Sequence, residues 1–364
     1  MSGTSLDGVD LALCDIDDKS YRVLKATTVP YPDEWRGRLA TLDKASAYEY
    51  ALANVELGHY LGRLVRDFVG VMNDDKIYVA SHGHTIFHQP QLGLTTQIGD
   101  GDAISAECNL PVVSNFRTLD VALGGQGAPL VPIGDRLLFG QYDACLNLGG
   151  IANISYQWPV TSDQTADAPL NTDHCTLTTA FDICPCNMAL NRLASLMGLD
   201  YDPDGANAAR GNVHTCLKMK LDDLPYYSQP APKSLGKEWF ESAFWPIVNE
   251  ELEMRNEGLV RDLLSTVTSH IAHQIAIVLK RENIGTLLVT GGGAFNRNLI
   301  DRIEQYAPQT IVTVPDALTV NYKEAIVFAL LGYLRLTGKV NTLRTVTGAR
   351  RDSCGGTLSG LLLN

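Results

Sequence analysis

Long apolar runs are missing from this sequence, and no stretch approaches the roughly 20 consecutive apolar residues that a helical membrane span requires. The opening, MSGTSLDGVD, has neither a basic n-region nor an apolar h-region, so neither export nor membrane insertion is expected. Positive charge is also short: 29 Lys and Arg stand against 41 Asp and Glu, a formal net charge of −12. That balance excludes a broad electrostatic grip on nucleic acid or an anionic membrane, and an anionic ligand needs a local basic pocket. Eight cysteines are scattered without paired zinc-finger spacing, which fits reduced thiols in a cytoplasmic protein better than a disulfide framework. What the chain does have is 364 residues that are 45% hydrophobic, enough for a sizeable core and of a length that favours two domains.

Apolar, β-rich runs at Val9–Ile16 and Tyr21–Val29, closed by Pro30-Tyr31-Pro32, predict an antiparallel hairpin. From Ala47 to Met72 the positions Tyr48, Leu52, Val55, Leu61, Leu64, Val65, Phe68 and Met72 fall at helical spacing. Short strands are expected at Lys76–Ser81, Pro111–Ser114, Ala144–Leu148 and Ile151–Tyr156, with a helix over Pro132–Gly140. Residues Trp158–Asn171 are polar and aperiodic and read as an exposed insertion. Leu264, Val267, Ile271, Ile275 and Val278 mark a second long helix, Thr286–Thr290 a buried strand, and Asn321–Leu336 a closing helix. Strands alternating with helices on this scale imply an α/β protein with at least partly parallel sheets.

Three glycine turns sit beside strands. Ser2-Gly3-Thr4-Ser5-Leu6-Asp7-Gly8-Val9-Asp10 offers hydroxyls and free backbone N–H groups, as a phosphate loop does, though a plain hairpin turn has the same composition. Asn147-Leu148-Gly149-Gly150-Ile151-Ala152-Asn153 reads equally as a phosphate turn or a tight hairpin. Gly291-Gly292-Gly293-Ala294-Phe295-Asn296 follows a buried strand and precedes a helix, the place where α/β sheets bind ligands, with loop flexibility as the plainer account. Three such turns at strand ends in one chain favour a nucleotide cleft.

Between the first two turns lies Phe116-Arg117-Thr118-Leu119-Asp120, leading into Gly124-Gly125-Gln126-Gly127-Ala128-Pro129. Asp120 has the chemistry of a general base and Arg117 that of an anion-binding group, while a structural Arg–Asp ion pair explains the spacing as well. His82, His84 and His88 would share one face of a continuous strand, but no Cys, Asp or Glu of matching spacing completes a metal set, so hydrogen-bonding roles are preferred. Cys184-Pro185-Cys186 reads as a pair of buried thiols rather than a redox centre.

Taken in order along nearly the whole chain, these segments resemble the anhydro-N-acetylmuramic acid kinase family. The residues that carry the resemblance are Met1–Asp10, Ser81–Thr85, Gln97–Asp100, Phe116–Pro132, Asn147–Ile154, Pro232-Lys233-Ser234, Gly291–Asn296 and Glu324-Ala325. The resemblance implies two ribonuclease-H-like lobes of the sugar kinase, actin and heat-shock chaperone superfamily closing over ATP. Residues 1–115 with 317–364 would form one lobe and residues 116–316 the other. Gly3, Thr4, Ser5, Asp7, Gly8, Asp10, Gly149 and Gly150 would hold the phosphates, and Gly291, Gly292, Gly293 and Asn296 the adenosine. The implied chemistry adds water to the anomeric carbon of a bridged amino sugar and transfers the γ-phosphoryl group of ATP, with Mg²⁺, to the released oxygen. Asp120 matches the family's catalytic carboxylate, with Arg117 beside it and His82, Thr85 and Glu324 near the sugar; the metal ligands are not implied. A homodimer is the family's suggestion for assembly. A kinase for a different amino sugar and a non-catalytic ATP- or sugar-sensing relative are the rival readings.

The sequence departs from the family in places. Relatives usually carry a few apolar residues ahead of Met-Ser-Gly-Thr-Ser, forming the first half of strand one, whereas this sequence starts at the motif. Ile183-Cys184-Pro185-Cys186 stands where many relatives have Thr-Gly-Pro-Gly, and His84 where they have Gln. Pro132-Ile133-Gly134-Asp135 also differs from the common pattern.

Overall fold

A computed structural model describes residues 1–2, 6–70, 76–159, 176–231, 233–253 and 257–360. The chain falls into two compact units, Met1–Leu138 with Tyr322–Asn364, and Phe139–Asn321.

The first unit opens on the expected hairpin of β1 (Gly8–Ile16) and β2 (Tyr21–Pro30), paired from Gly8 opposite Pro30 to Ile16 opposite Tyr21, with a bulge at Leu13/Cys14. A short α1 (Asp33–Leu39) leads to α2 (Ala47–Val69), which starts where its sequence says it should. Ser46 Oγ accepts the Glu49 N–H at 3.2 Å while Glu49 Oε2 accepts the Ser46 N–H at 3.1 Å, a reciprocal cap that satisfies two otherwise unpaired donors. Leu57, Leu61 and Val65 face inward, but Tyr48, Leu52 and Val55 are exposed, so the apolar stripe read from the sequence is wider than the face that packs. Met72 lies outside the described residues.

The strand expected over Lys76–Ser81 is only β3 (Val79–Ala80). It is followed by a hairpin that the sequence does not announce, β4 (His84–Gln89) and β5 (Leu94–Ile98). After α3 (Gly101–Cys108) come β6 (Val112–Ser114), α4 (Thr118–Ala122) and α5 (Pro132–Leu138).

The second unit holds one five-stranded sheet. β7 (Ala144–Leu148), β8 (Ile151–Pro159) and β9 (Thr176–Pro185) form an antiparallel meander. The helices α6 (Asn187–Ser195), α7 (Thr215–Asp222), α8 (Lys237–Trp239), α9 (Trp245–Glu250) and α10 (Glu257–Arg281) follow. Then β10 (Thr286–Thr290), α11 (Arg297–Tyr306) and β11 (Ile311–Thr313) complete the order β11-β10-β7-β8-β9, with β10 parallel to both neighbours. The mixed sheet matches the partly parallel one expected. Helix α10 supplies the apolar floor: Leu263, Leu264, Val267, Ile271, Ile275 and Leu279 are fully buried. Of the expected insertion, the start is strand β8 as far as Pro159, and residues 160–171 lie outside the described ones.

Helix α12 (Ala317–Leu336) returns the chain to the first unit, where β12 (Thr357–Ser359) adds antiparallel to β6 to give the sheet β12-β6-β3. Its start lies four residues before the expected Asn321. By length and composition α12 could cross a membrane, which corrects the reading that no stretch approaches that limit. More than half of its apolar window is buried inside the protein, as in a core helix.

Candidate active site

In the first unit, Arg117 stands at the head of α4 and makes three hydrogen bonds to two acceptors. Its Nε and one terminal nitrogen donate to His82 Nε2 at 3.1 and 2.9 Å, and the other donates to the Gly127 carbonyl at 2.6 Å. A guanidinium only donates, so His82 Nε2 is the acceptor and the ring proton sits on Nδ1, 3.0 Å from the Gly83 carbonyl. Burial, helped by the Arg117 charge, pushes His82 down to about 3, so the ring stays neutral. Burial also lowers Arg117, to about 10, against the pull of Glu324. Glu324 is accessible to solvent yet crowded by protein: desolvation raises its carboxyl above the ordinary range, opposed by Arg117 and reinforced by Asp10. The structure thus brings Arg117, His82, Glu324 and Asp10 into one electrostatic cluster.

Asp120 is placed differently. It is 1% exposed, its Oδ2 accepts the Gly127 N–H at 2.8 Å and its Oδ1 accepts the Thr347 hydroxyl at 2.7 Å. Arg117 and Asp120 do not pair with each other; each grips Gly127 from its own side. The carboxylate therefore holds the 124–127 loop against the segment of Thr347, whose carbonyl also accepts the Gln126 N–H at 2.8 Å. Thr347→Val removes one donor from this buried anion and is expected to cost about 1–3 kcal/mol in stability. A denaturant midpoint measured against the parent chain checks it.

The remaining sites in this unit divide. Asp10 Oδ1 accepts from Thr28 at 2.6 Å, and Asp7 is exposed at the head of β1. Thr85 faces Gln97, 3.5 Å away across the β4–β5 hairpin. Gly3, Thr4 and Ser5 lie outside the described residues. The three histidines do not form a set: His82 precedes β4, a bulge between Thr85 and Phe87 breaks the alternation, and His84 and His88 turn to Ser2 and Thr95 instead. Among the described residues no group of three His, Cys, Asp or Glu is placed to hold a metal.

In the second unit, the two glycine turns converge. The carbonyls of Gly149 and Gly150 accept the N–H groups of Asn187 and Cys186 at 3.1 and 2.8 Å, and Asn187 Nδ2 donates to the Leu148 carbonyl at 2.9 Å. Gly291 has φ +81°, and a Cβ there would lie 2.4 Å from Asn147 Oδ1 and 2.9 Å from the Leu148 backbone. Only glycine allows that approach. Asn296 caps α11 by accepting the Leu299 N–H at 3.0 Å. Gly150 and Gly292 stay exposed, so backbone donors and acceptors at these strand ends face solvent.

Next to these turns lies a carboxylate that sequence reasoning missed. Asp182, near the end of β9, accepts the Leu235 N–H through Oδ2 at 2.8 Å, and desolvation raises its carboxyl above the ordinary range despite that bond. Its setting is built by distant residues. Asp222 takes the Nδ1 proton of fully buried His270 at 2.6 Å and pairs with Lys218 at 2.6 Å; His270 Nε2 accepts the Tyr227 hydroxyl at 2.9 Å. Lys233 Nζ then donates to the carbonyls of Tyr226 and Tyr227 at 3.0 and 3.3 Å, and Tyr226 donates its hydroxyl to the Asp182 carbonyl at 2.6 Å. The available signal was a carboxylate just before a strand-ending proline and a helix start, where open sheets gather ligands. Cys184 and Cys186, both fully buried with thiols pushed up by burial, are the packed pair expected.

Comparison with known proteins adds the following. The family described as anhydro-N-acetylmuramic acid kinase matches residues 1–359. An anhydro-N-acetylmuramic acid kinase of Shewanella amazonensis is 35% identical over 97% of this chain and 95% of its own. One from Francisella tularensis subsp. novicida is 34% identical over 96% and 94%. Among solved structures, a hexokinase from Schistosoma mansoni with glucose overlaps at TM-score 0.39 and 12% identity, covering 90% of this chain and 86% of that one. A ROK family glucokinase from Streptomyces griseus overlaps at 0.34. Likenesses this low carry no argument about chemistry.

Proposed function

Since the chain belongs to the anhydro-N-acetylmuramic acid kinase family, we propose that it is an ATP-dependent kinase that hydrolytically opens anhydro-N-acetylmuramic acid and phosphorylates the freed 6-hydroxyl. The observation that carries this reading is a match at about one third identity over almost the whole of both chains. Water adds to the anomeric carbon as the bridge C–O bond breaks, the bridge oxygen takes the γ-phosphoryl group, ADP leaves, and a base accepts the proton of the water.

The base must reach a water, and Asp182 meets that condition better than Asp120. Asp182 is half-buried, has one oxygen engaged and is raised by desolvation, as a proton acceptor near neutral pH requires. Asp120, the residue that the family resemblance assigns, has both oxygens held and organises the Gly127 loop, where Arg117 also anchors. Arg117 and Glu324 supply charge for the anionic partners, and the turns at Gly149-Gly150 and Gly291–Gly293 receive the nucleotide. Mg²⁺, where bound, neutralises phosphate charge; phosphate oxygens, water and one or two carboxylates suffice to hold it, for which Asp10 and Glu324 are the candidates in the first unit. Cysteines not joined in disulfides among the described residues, Cys184 and Cys186 buried among them, support a cytoplasmic setting.

Two measurements test the reading. ADP release from Mg-ATP is expected only with the anhydro sugar, giving a product heavier by one water and one phosphoryl group. ADP with an intact bridge would mean a different kinase, and ATP binding without turnover the sensing role. Asp120→Asn is expected to keep ATP binding, to lose about 1–2 kcal/mol of stability, and to lower kcat by less than about tenfold. A hundredfold loss of kcat at unchanged fold would return the base to Asp120.

A further inference from the structure

Among the described residues Lys233 is a half-buried cation that pairs with no carboxylate. Its Nζ donates instead to the carbonyls of Tyr226 and Tyr227, at 3.0 and 3.3 Å, and lies 4.4 Å from the centre of the Tyr226 ring. Desolvation, helped by the charge of Arg281, pushes this ammonium below its ordinary value. Holding a cation away from water without an anion is costly, so the structure it bridges has to return something for it. The two carbonyls lie seven and six residues earlier in the chain, and the ammonium therefore pinches the segment between them into a closed loop.

That loop holds Asp182. β9 is an end strand of its sheet, so the backbone groups on its outer side have no strand to pair with. At Asp182 the ladder to β8 also slips: Ala152 stands opposite Cys184 and Asn153 opposite Asp182, which leaves Ile183 as the extra residue of a bulge. The loop takes both backbone groups of Asp182. Its N–H donates to the Lys233 carbonyl at 3.1 Å, and its carbonyl accepts the Tyr226 hydroxyl at 2.6 Å. The Leu235 N–H, two residues beyond Lys233, then fixes Oδ2 at 2.8 Å. Three bonds from one loop set the position and the rotation of this carboxyl group, and Oδ1 is left out of them. The far end of the loop is anchored in the core, because Tyr227 donates its hydroxyl to Nε2 of the fully buried His270 on α10 at 2.9 Å.

We propose that Lys233 is a positioning residue for the base: by closing the loop on the Tyr226 and Tyr227 carbonyls, it holds the Asp182 carboxylate where Oδ1 meets the attacking water. The inference rests on the reading of Asp182 as that base. Lys233 acts only through the carboxylate, and a reacting group displaced by about 1 Å loses on the order of 100-fold in rate.

The test is a cycle in kcat of the full chain, read from ADP formed with Mg-ATP and anhydro-N-acetylmuramic acid, across the parent, Lys233→Met, Asp182→Asn and the double variant. Lys233→Met is expected to lower kcat by about 10–100-fold, with KM for both substrates within about twofold of the parent. In the Asp182→Asn background no base remains to be placed, and the same substitution is expected to change kcat by less than about threefold. Equal losses in the two backgrounds overturn the proposal, since a merely structural lysine costs the same with or without the base. A Lys233→Met chain with parental kcat overturns it too, and both results leave Asp182 in its role. If Asp182→Asn alone keeps kcat within about tenfold of the parent, the base reading itself fails and the positioning role goes with it. Should Lys233→Met not fold, Tyr226→Phe removes only the hydroxyl bond to the Asp182 carbonyl and goes through the same cycle, with a loss of about tenfold expected in the parent background alone.

Discussion

Asp182→Asn is expected to lower kcat by about 10²–10⁴-fold while leaving the fold and ATP binding in place. The amide keeps the shape and the acceptor for the Leu235 N–H, and loses only the proton-accepting charge. Loss of a general base shows in kcat and kcat/KM together, whereas a purely structural role would show as lowered stability with little kinetic change. The parent enzyme should show a matching pH signature. Burial raises the Asp182 carboxyl, so the base stays protonated to higher pH than an ordinary aspartate with its value of about 3.9. The acid limb of kcat/KM is therefore displaced upward, and it is absent from whatever activity Asp182→Asn retains. His82 contributes no limb near neutrality, because it is held neutral down to about 3. An unchanged pH profile in Asp182→Asn would remove this residue from the base role.

Lys323→Met is expected to cost about 3–5 kcal/mol of stability. Lys323 on α12 and Asp135 on α5 form an ion pair at 2.7 Å with side chains only 7% and 10% exposed. The helices meet closely there: a Cβ at Gly134 would lie 2.5 Å from a Val327 methyl. Removing the ammonium takes the ion-pair partner from a carboxylate in a space that water enters poorly, which is why one deletion costs far more than the pair contributes. The double variant Lys323→Met with Asp135→Leu should recover most of the loss, since two apolar side chains of similar volume need no solvation. Chemical denaturation of the parent, both single variants and the double closes the cycle; a double variant as unstable as the single would refute the account.

Much of the architecture was legible. The β1–β2 hairpin, α2, α10, β10 and α12 follow from apolar periodicity, because the period of a buried face is a local property of the chain. The β4–β5 hairpin was not, since His84–Gln89 and Leu94–Ile98 carry mixed polarity and a bulge that disrupts the alternation. The glycine turns at Gly149-Gly150 and Gly291–Gly293 were visible as turns; that they are bound through Asn147, Leu148 and Asn187 was not.

The order of short motifs, by itself, determined the family and with it the reaction class. Local composition determined that the protein is α/β, acidic and rich in strand-end glycines. The tertiary structure alone decided what each carboxylate can do. Asp120 looks like a free base until Thr347, 227 residues away, takes one of its oxygens, and Asp182 looks like an ordinary strand residue until burial in the folded chain raises its carboxyl. A pKa is set by burial and by partners brought together across long stretches of chain, and no period or spacing in the sequence encodes that assembly.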